Sequence, residues 1–333
     1  MSNPLSTTAL RALRRAGALW AIAVVVVAVA AITLPAFRST VSINSLLASL
    51  APIVLISIGQ AVVIMIGGID LSVGAVAGLA TVVLSLHGML PGGAPTALVL
   101  ALLAGLAVGL VNGLGMTAGI NPLLMTFAMA GAIQGLALLL QDSPDAAAPY
   151  DLIGALAQSF GPVPLLALAA LVALVIVWLW MSQSRMGRII QATGYDPRSA
   201  GRLGFPVHAA TLVAFAVAGL LAALGGVAIV ARTFTADALV GSSSVIDSIA
   251  TVLVAGILIT GGVGSVLNVL PAAVIIAVVG QVITLTGTDS YYQMIFKGVL
   301  LLAAMGVYQL VGSGVRVPWR LKGALLRREG ARA

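Results

Sequence analysis

Apolar residues run almost unbroken through this chain, interrupted only by short polar, glycine-rich or proline-containing links. Ten apolar stretches stand out, at about 16–36, 43–66, 71–90, 96–117, 121–141, 162–182, 207–231, 246–262, 265–286 and 292–312. A helix needs roughly 20 mostly apolar residues to cross the ~30 Å hydrocarbon layer, and these stretches come close to that length. The pattern predicts an all-α polytopic membrane protein of about ten transmembrane helices. Three glycine-containing links, 67–70, 118–120 and 261–264, are read either as tight turns or as breaks within the membrane.

Composition agrees with the pattern. Of 333 residues, 61% are hydrophobic and 8% charged, and the mean hydropathy is +1.17. A soluble domain averages about 25% charged residues, so lipid is the solvent for most of this chain. Arg11, Arg14 and Arg15 precede the first stretch in the manner of a signal peptide. That stretch is too long for a signal core and many others follow, so it is read as an uncleaved first span.

Charge then orients the chain. The N-terminal segment 1–15, the link 183–206 and the tail 313–333 carry thirteen of the sixteen Lys and Arg residues. Ten spans put these three segments on one side. Asp142, Asp145, Asp151 and Asp289 fall on the other. Cytoplasmic loops collect Lys and Arg, so both termini are expected in the cytoplasm, flanking one permeation domain at 16–312. The same rule explains the net charge of +7 without a nucleic-acid partner. The tail reads as a membrane-surface anchor with Trp319 at headgroup level, and Lys297 as a side chain reaching for the external interface.

Polar residues at membrane depth carry the functional information. Asp70 stands out, in "IMIGGIDLSVGAVAG" (Ile64 to Gly78). The Gly-Gly before it permits a turn, after which Asp70 or Ser72 can accept N–H bonds at the start of the next helix. Asp70 also suits a pathway or gate. Gln60, Ser72, Asn112 and Asn121 are candidates for the same polar seam, with Asn121-Pro122 opening a helix. Gln134, Asn268 and Gln281 read first as bonds between helices. Gly74 with Gly78, and Gly105 with Gly109, have the spacing that lets helices approach closely.

Enzyme chemistry finds little support. There is no G-x-x-x-x-G-K-[ST] loop, H-E-x-x-H or G-x-S-x-G, and Asp70 has no obvious carboxylate partner. The absence of cysteine excludes disulfides and thiolate metal sites, and His87 and His208 lack ligand spacing. Neither a metal nor another cofactor is expected.

The stretch "GGIDLSVGAVAG" closely resembles the signature of the ribose-type monosaccharide permeases of ABC importers. "VNGLGMTAGINPLLMTFAM" (Val111 to Met129), "ATGYDPRSAGRLGFPV" (Ala192 to Val207), "GGVGSVLNVLPAAVIIAVV" (Gly261 to Val279) and "YYQMIFKGVLLLAA" (Tyr291 to Ala304) resemble further segments of that family, in order. The resemblance implies a large-importer-like permease fold in a bacterial inner membrane. It implies three partners: an ATP-binding cassette subunit, an extracytoplasmic sugar-binding protein, and a second permease chain, identical or related. It also places coupling to the ATPase in the link 183–206, with Gly194, Tyr195, Asp196, Arg198 and Gly204 on the matching segment.

The chain departs from the family where Asp196 replaces a common Asn, at Ser199-Ala200 and Leu203-Gly204, and where Gln134-Gly135 replaces Arg-Gly. These departures leave the cargo open. A permease for branched-chain amino acids or nucleosides, and an ATP-independent facilitator, are the competing readings.

Overall fold

A computed structural model of the chain describes residues 4–302, apart from 87–89, 145–149, 162, 290, 297, 300 and 301. Lys297, the tail 313–333, His87 and the end of the tenth apolar stretch lie outside the described residues. The chain runs through α1 (Pro4–Thr33), α2 (Thr40–Met65), α3 (Val73–Ser85), α4 (Gly93–Thr117) and α5 (Pro122–Leu140). It continues through α6 (Tyr150–Leu156), a two-stranded antiparallel ribbon (β1 Ser159–Phe160, β2 Val163–Pro164) and α7 (Leu165–Gln183). Then follow α8 (Arg185–Tyr195), α9 (Pro197–Arg202), α10 (Val207–Thr233), α11 (Ser242–Val254) and α12 (Val269–Leu285).

Six of these helices are long and apolar enough to cross a membrane, and three shorter apolar ones accompany them at Gly17–Thr33, α3 and α11. Each of the first nine predicted stretches holds one helix, and residues 291–296 are helical at the start of the tenth. Two differ in extent. α3 and α11 have 13 residues each, about 20 Å at 1.5 Å per residue. Hydropathy does not see where α11 stops, because Ile257, Leu258 and Ile259 are as apolar as the helix before them. The stop is conformational: Gly256 has φ +76° and residues 255–265 turn back on themselves.

Five helix ends close in the same way. After α2, Gly68 N–H donates to Val63 and Gly67 N–H to Ile64, with Gly67 at φ +89°. This is the Schellman arrangement, which pairs the last carbonyls of a helix by placing one left-handed residue after it. Equivalent bonds close α4 at Gly119, α9 at Gly204, α11 at Gly256 and α12 at Gly287. In lipid this closure matters more than in water, since an unpaired carbonyl has no solvent to bond.

α2 and α10 form the centre. In each, 78% of the apolar window is buried, against 11% in α5 and 17% in α7. Phe127 and Leu139 of α5 and Ile176 of α7 are among the exposed side chains and suit lipid contact. Without a hydrophobic drive between helices in lipid, association depends on close van der Waals approach through small residues. Gly105 and Gly219 meet backbone to backbone across α4 and α10, and Gly74 and Gly241 meet likewise at the start of α3 and α11. A methyl group on any of the four would strike the partner's carbonyl oxygen.

Of the amides expected to join helices, Gln281 does so, while Gln134 and Asn268 bond carbonyls in the links on either side of α11. Gln281 Nε2 donates to Ser42 Oγ at 3.1 Å, linking α12 to α2. Gln134 Nε2 donates to the Ala238 carbonyl at 2.6 Å, and Asn268 Nδ2 to the Ala255 carbonyl at 3.3 Å. Thr81 Oγ1 donates to the Asp237 carbonyl and accepts from its N–H, so α3 is tied to the segment before α11.

Candidate functional site

Three features bear on function: the turn after α2, the α8–α9 segment packed against it, and a polar cavity between helices.

The turn Ile66 to Ser72 exposes Gly67, buries Ile66, Gly68, Asp70 and Ser72, and is knotted to three helices. Asp70 Oδ1 accepts from the Ser72 N–H at 2.8 Å and from Ser72 Oγ at 2.6 Å. Asn112 Nδ2 of α4 donates to Ser72 Oγ at 2.8 Å. With the Gln60 amide oriented to satisfy both its neighbours, its nitrogen donates to the Asp70 carbonyl at 3.0 Å and its oxygen accepts from the Asp70 N–H at 3.3 Å. Thr126 Oγ1 of α5 donates to the Ile69 carbonyl at 3.0 Å.

Gln60, Asp70, Ser72 and Asn112 thus form one cluster, each at most 1% exposed. Burial of polar groups at this depth is costly unless they are paired, and the interlocking bonds meet that demand except at Asn112 Oδ1, which has no partner. Ser72 occupies the N-cap position of α3 but makes no side-chain cap bond; its hydroxyl serves Asp70 instead. Asp70 closes a local turn two residues long. Asn121 does not join the cluster. It is exposed and accepts the Leu123 N–H at 2.9 Å, capping α5. Sequence reasoning missed Thr126, whose hydroxyl also bonds back to Pro122 within its own helix.

The α8–α9 segment lies on the same end of the bundle as that turn. Ser184 Oγ accepts the Gly187 N–H at 3.0 Å and starts α8. α8 buries Ile189 and Ile190 and exposes Arg188, which seats it on the bundle surface. Asp196 ends α8 and caps α9, accepting from the Arg198 N–H at 3.0 Å and from Ser199 Oγ at 2.5 Å. The Ser199 bonds hold its carboxyl below the ordinary value of 3.8. Gly194 is buried between two turns: a methyl group there would overlap the Met65 carbonyl oxygen and lie 2.7 Å from Gly262 N. Those two atoms bond to each other, Gly262 N–H donating to Met65 at 2.9 Å.

Tyr195, Arg198 and Gly204 face outward, with Tyr195 80% exposed. Beside them is a shallow concavity of about 810 Å³ lined by Arg198, Arg202, Phe205 and His208, among others. Of the five residues matched to coupling, Gly194 is therefore a packing residue, Asp196 a cap, Tyr195 and Arg198 surface side chains, and Gly204 the left-handed residue that closes α9.

A third feature was not anticipated. α2, α10, α11 and α12 enclose a cavity of about 320 Å³ containing Asp247, which is 9% exposed. The signal was present, since "VIDS" (Val245 to Ser248) puts an ionisable residue inside a predicted span, the same rule that singled out Asp70. Arg232 of α10 also borders this cavity. No group of three or more potential metal ligands occurs among the described residues.

The family described as "Branched-chain amino acid transport system / permease component" matches residues 42–305. The chain belongs to this family. It is a multi-pass membrane protein and the permease component of an ABC importer, a membrane subunit without catalysis of its own; ATPase and binding-protein partners follow from that membership. Among similar proteins, the ribose import permease protein of Bacillus subtilis (strain 168) is 33% identical over 289 residues, covering 84% of this chain and 88% of the relative. The D-allose transport system permease protein of Escherichia coli (strain K12) is 29% identical, covering 89% and 91%. An autoinducer 2 import system permease protein of Escherichia coli (strain SMS-3-5 / SECEC) is 28% identical, covering 75% and 78%.

Proposed function

We propose that this permease carries a monosaccharide delivered by an extracytoplasmic binding protein, driven by an ATPase docked on the α8–α9 segment. The packing of Gly194 against Met65 and Gly262 carries the reading. A force applied to α9 from outside the bundle reaches, through Gly194, the end of α2 and the turn between α11 and α12 together. Tyr195, Arg198 and Gly204 form the outer face that meets the ATPase, and Asp196 keeps α9 in register with α8. Coupling needs contacts that differ between two states, and a rigid wedge between two turns supplies a lever for such a difference.

In this reading ten spans cross the membrane as one domain at 16–312. Both termini and the link 183–206 face the cytoplasm, as the placement of basic residues favours. The Gln60–Asp70–Ser72–Asn112 cluster holds the cytoplasmic gate turn, and Asn121 positions α5 beside it. A second permease chain, identical or related, completes the pathway. The ribose and allose permeases among the relatives favour a sugar over a branched-chain amino acid.

The test is uptake into proteoliposomes holding this chain, its ATPase and its binding protein, with labelled ribose, allose and leucine offered in turn. Sugar uptake that needs internal ATP and all components is expected. Leucine uptake instead, or sugar uptake by this chain alone, would overturn the reading.

A further inference from the structure

A permease that moves a polar solute through lipid needs somewhere polar for that solute to rest. We propose that the cavity between α2, α10, α11 and α12 is such a resting site, for a neutral polyhydroxylated solute in transit. Asp247 of α11 would be its charged contact, and Ser243, Ser244, Ser248, Gln281 and Gln293 its neutral ones. The proposal rests on the importer reading above and gives its cargo a location.

The size fits. At ~30 Å³ per water, a cavity of about 320 Å³ has room for about ten waters, close to the heavy-atom count of a pentose. The chemistry fits as well. Ser243, Ser244, Asp247 and Ser248 recur at helical spacing and make one polar stripe along α11, continued by buried Thr251, while the opposite wall carries isoleucines of α2, α10 and α12. Serine hydroxyls and glutamine amides each donate and accept, which suits a ring that offers both at every hydroxyl, and a carboxylate can accept two such hydroxyls at once. A hydrocarbon-like patch opposite suits the ring's C–H face.

The amides are held in place beforehand. Gln281 is anchored to Ser42 at 3.1 Å and Gln293 to Thr284 at 3.3 Å. Anchored contacts lose little freedom when a solute arrives. Hydroxyl and amide side chains outnumber Asp247 and Arg232 in this lining, which favours a solute of many hydroxyls, and a leucine control tests whether that one carboxylate and one guanidinium hold a zwitterion instead. The location also connects to the lever at Gly194. α2 forms one wall, and the 255–265 turn joins the α11 and α12 walls, so a shift at that junction alters the cavity's shape.

The natural chain has no cysteine, so Ser244→Cys and, separately, Ser243→Cys each introduce a single thiol. Either variant is assembled with ATPase and binding protein in proteoliposomes and treated with a small water-soluble methanethiosulfonate. The reagent is applied alone and with saturating D-ribose, D-allose or L-leucine. The expected result is reaction in the absence of solute, slowed at least about tenfold by one of the sugars because only unoccupied sites react, and unaffected by leucine. Thiols that never react while an exposed Ser143→Cys control does, that react equally with every solute, or that leucine alone protects would overturn the proposal. Wild-type uptake measured in parallel keeps the two readings apart. ATP-dependent sugar uptake with unprotected thiols removes the cavity and leaves the importer, whereas sugar uptake without ATP removes the importer reading first.

Discussion

The backbone N–H of Gly262 donates to the carbonyl oxygen of Met65 at 2.9 Å, and Gly194 closes over both atoms. Three segments far apart in sequence meet there with no side chain between them. The end of a helix, a turn and the last residues of a surface helix act as one body at that point. The end of α8 is therefore in direct backbone contact with the end of α2 and with the turn that joins α11 to α12.

Gly194→Ala should break this relation. The added methyl group has nowhere to go, since the atoms it meets are backbone. Overpacking of this kind costs about 1–3 kcal/mol, and a coupling free energy of that size corresponds to about 5- to 150-fold. ATP-driven uptake should fall within that range, with ATP hydrolysis stimulated by the binding protein falling in step. Gly135→Ala, on α5 where nothing lies within 4 Å, should retain uptake. Equal effects of the two substitutions would show that the junction has no special part.

Asp70 is predicted to hold structure. Asp70→Ala removes the acceptor for two Ser72 donors in a fully buried site. Each unpaired buried group costs about 1–3 kcal/mol, so the loss is about 2–6 kcal/mol. At about 2–4 °C per kcal/mol, thermal unfolding in detergent should drop by about 5 °C or more. Asp70→Asn keeps an acceptor oxygen and should lose distinctly less. Scanning fluorimetry on both variants decides it, and an Asp70→Ala protein as stable as wild type would refute the assignment.

Most of the helices were legible because lipid imposes a simple rule on length and polarity. Asp70, Gln60, Ser72 and Asn112 could be picked out singly for the same reason, being polar where polarity is costly. Their assembly into one cluster was not legible, since it depends on α4 packing against α3 so that Asn112 meets Ser72. Asn121 shows the converse: the same residue type at a helix start satisfies its neighbour's N–H and stays outside. The shortness of α11 was hidden because apolar residues continue past Gly256, and a positive φ leaves no trace in hydropathy. Asp247 was as visible as Asp70 but lay outside the resemblance that drew attention to the other segments.

The cap at Asp196 makes a pH prediction for the exposed α9. Bonds from Ser199 and Arg198 favour the ionised carboxylate and lower its pKa from 3.8. A depressed folded value contributes stability that is present above 3.8 and lost as pH falls through the lower folded value. Hydrogen exchange over residues 197–202 should therefore be steady, after correction for intrinsic rates, between neutral pH and about pH 5, and protection should weaken below that range. Asp196→Asn should remove the pH dependence. A transition near neutral pH would point to a different group.

Orientation can be tested directly because the chain has no native thiol. Ser143, in the acidic link after α5, and Ser199, in α9, are both exposed. The four arginines of the link 183–206 predict that the α9 side faces the cytoplasm, under the rule that cytoplasmic loops gather Lys and Arg. In spheroplasts, a membrane-impermeant maleimide should label Ser143→Cys and leave Ser199→Cys untouched until the membrane is permeabilised. The opposite pattern would invert the bundle and put α9 out of reach of any cytoplasmic ATPase. Labelling of both would place the two segments on one face, requiring an even number of crossings between Ser143 and Ser199, where among the described residues α7 alone is long and apolar enough to supply one.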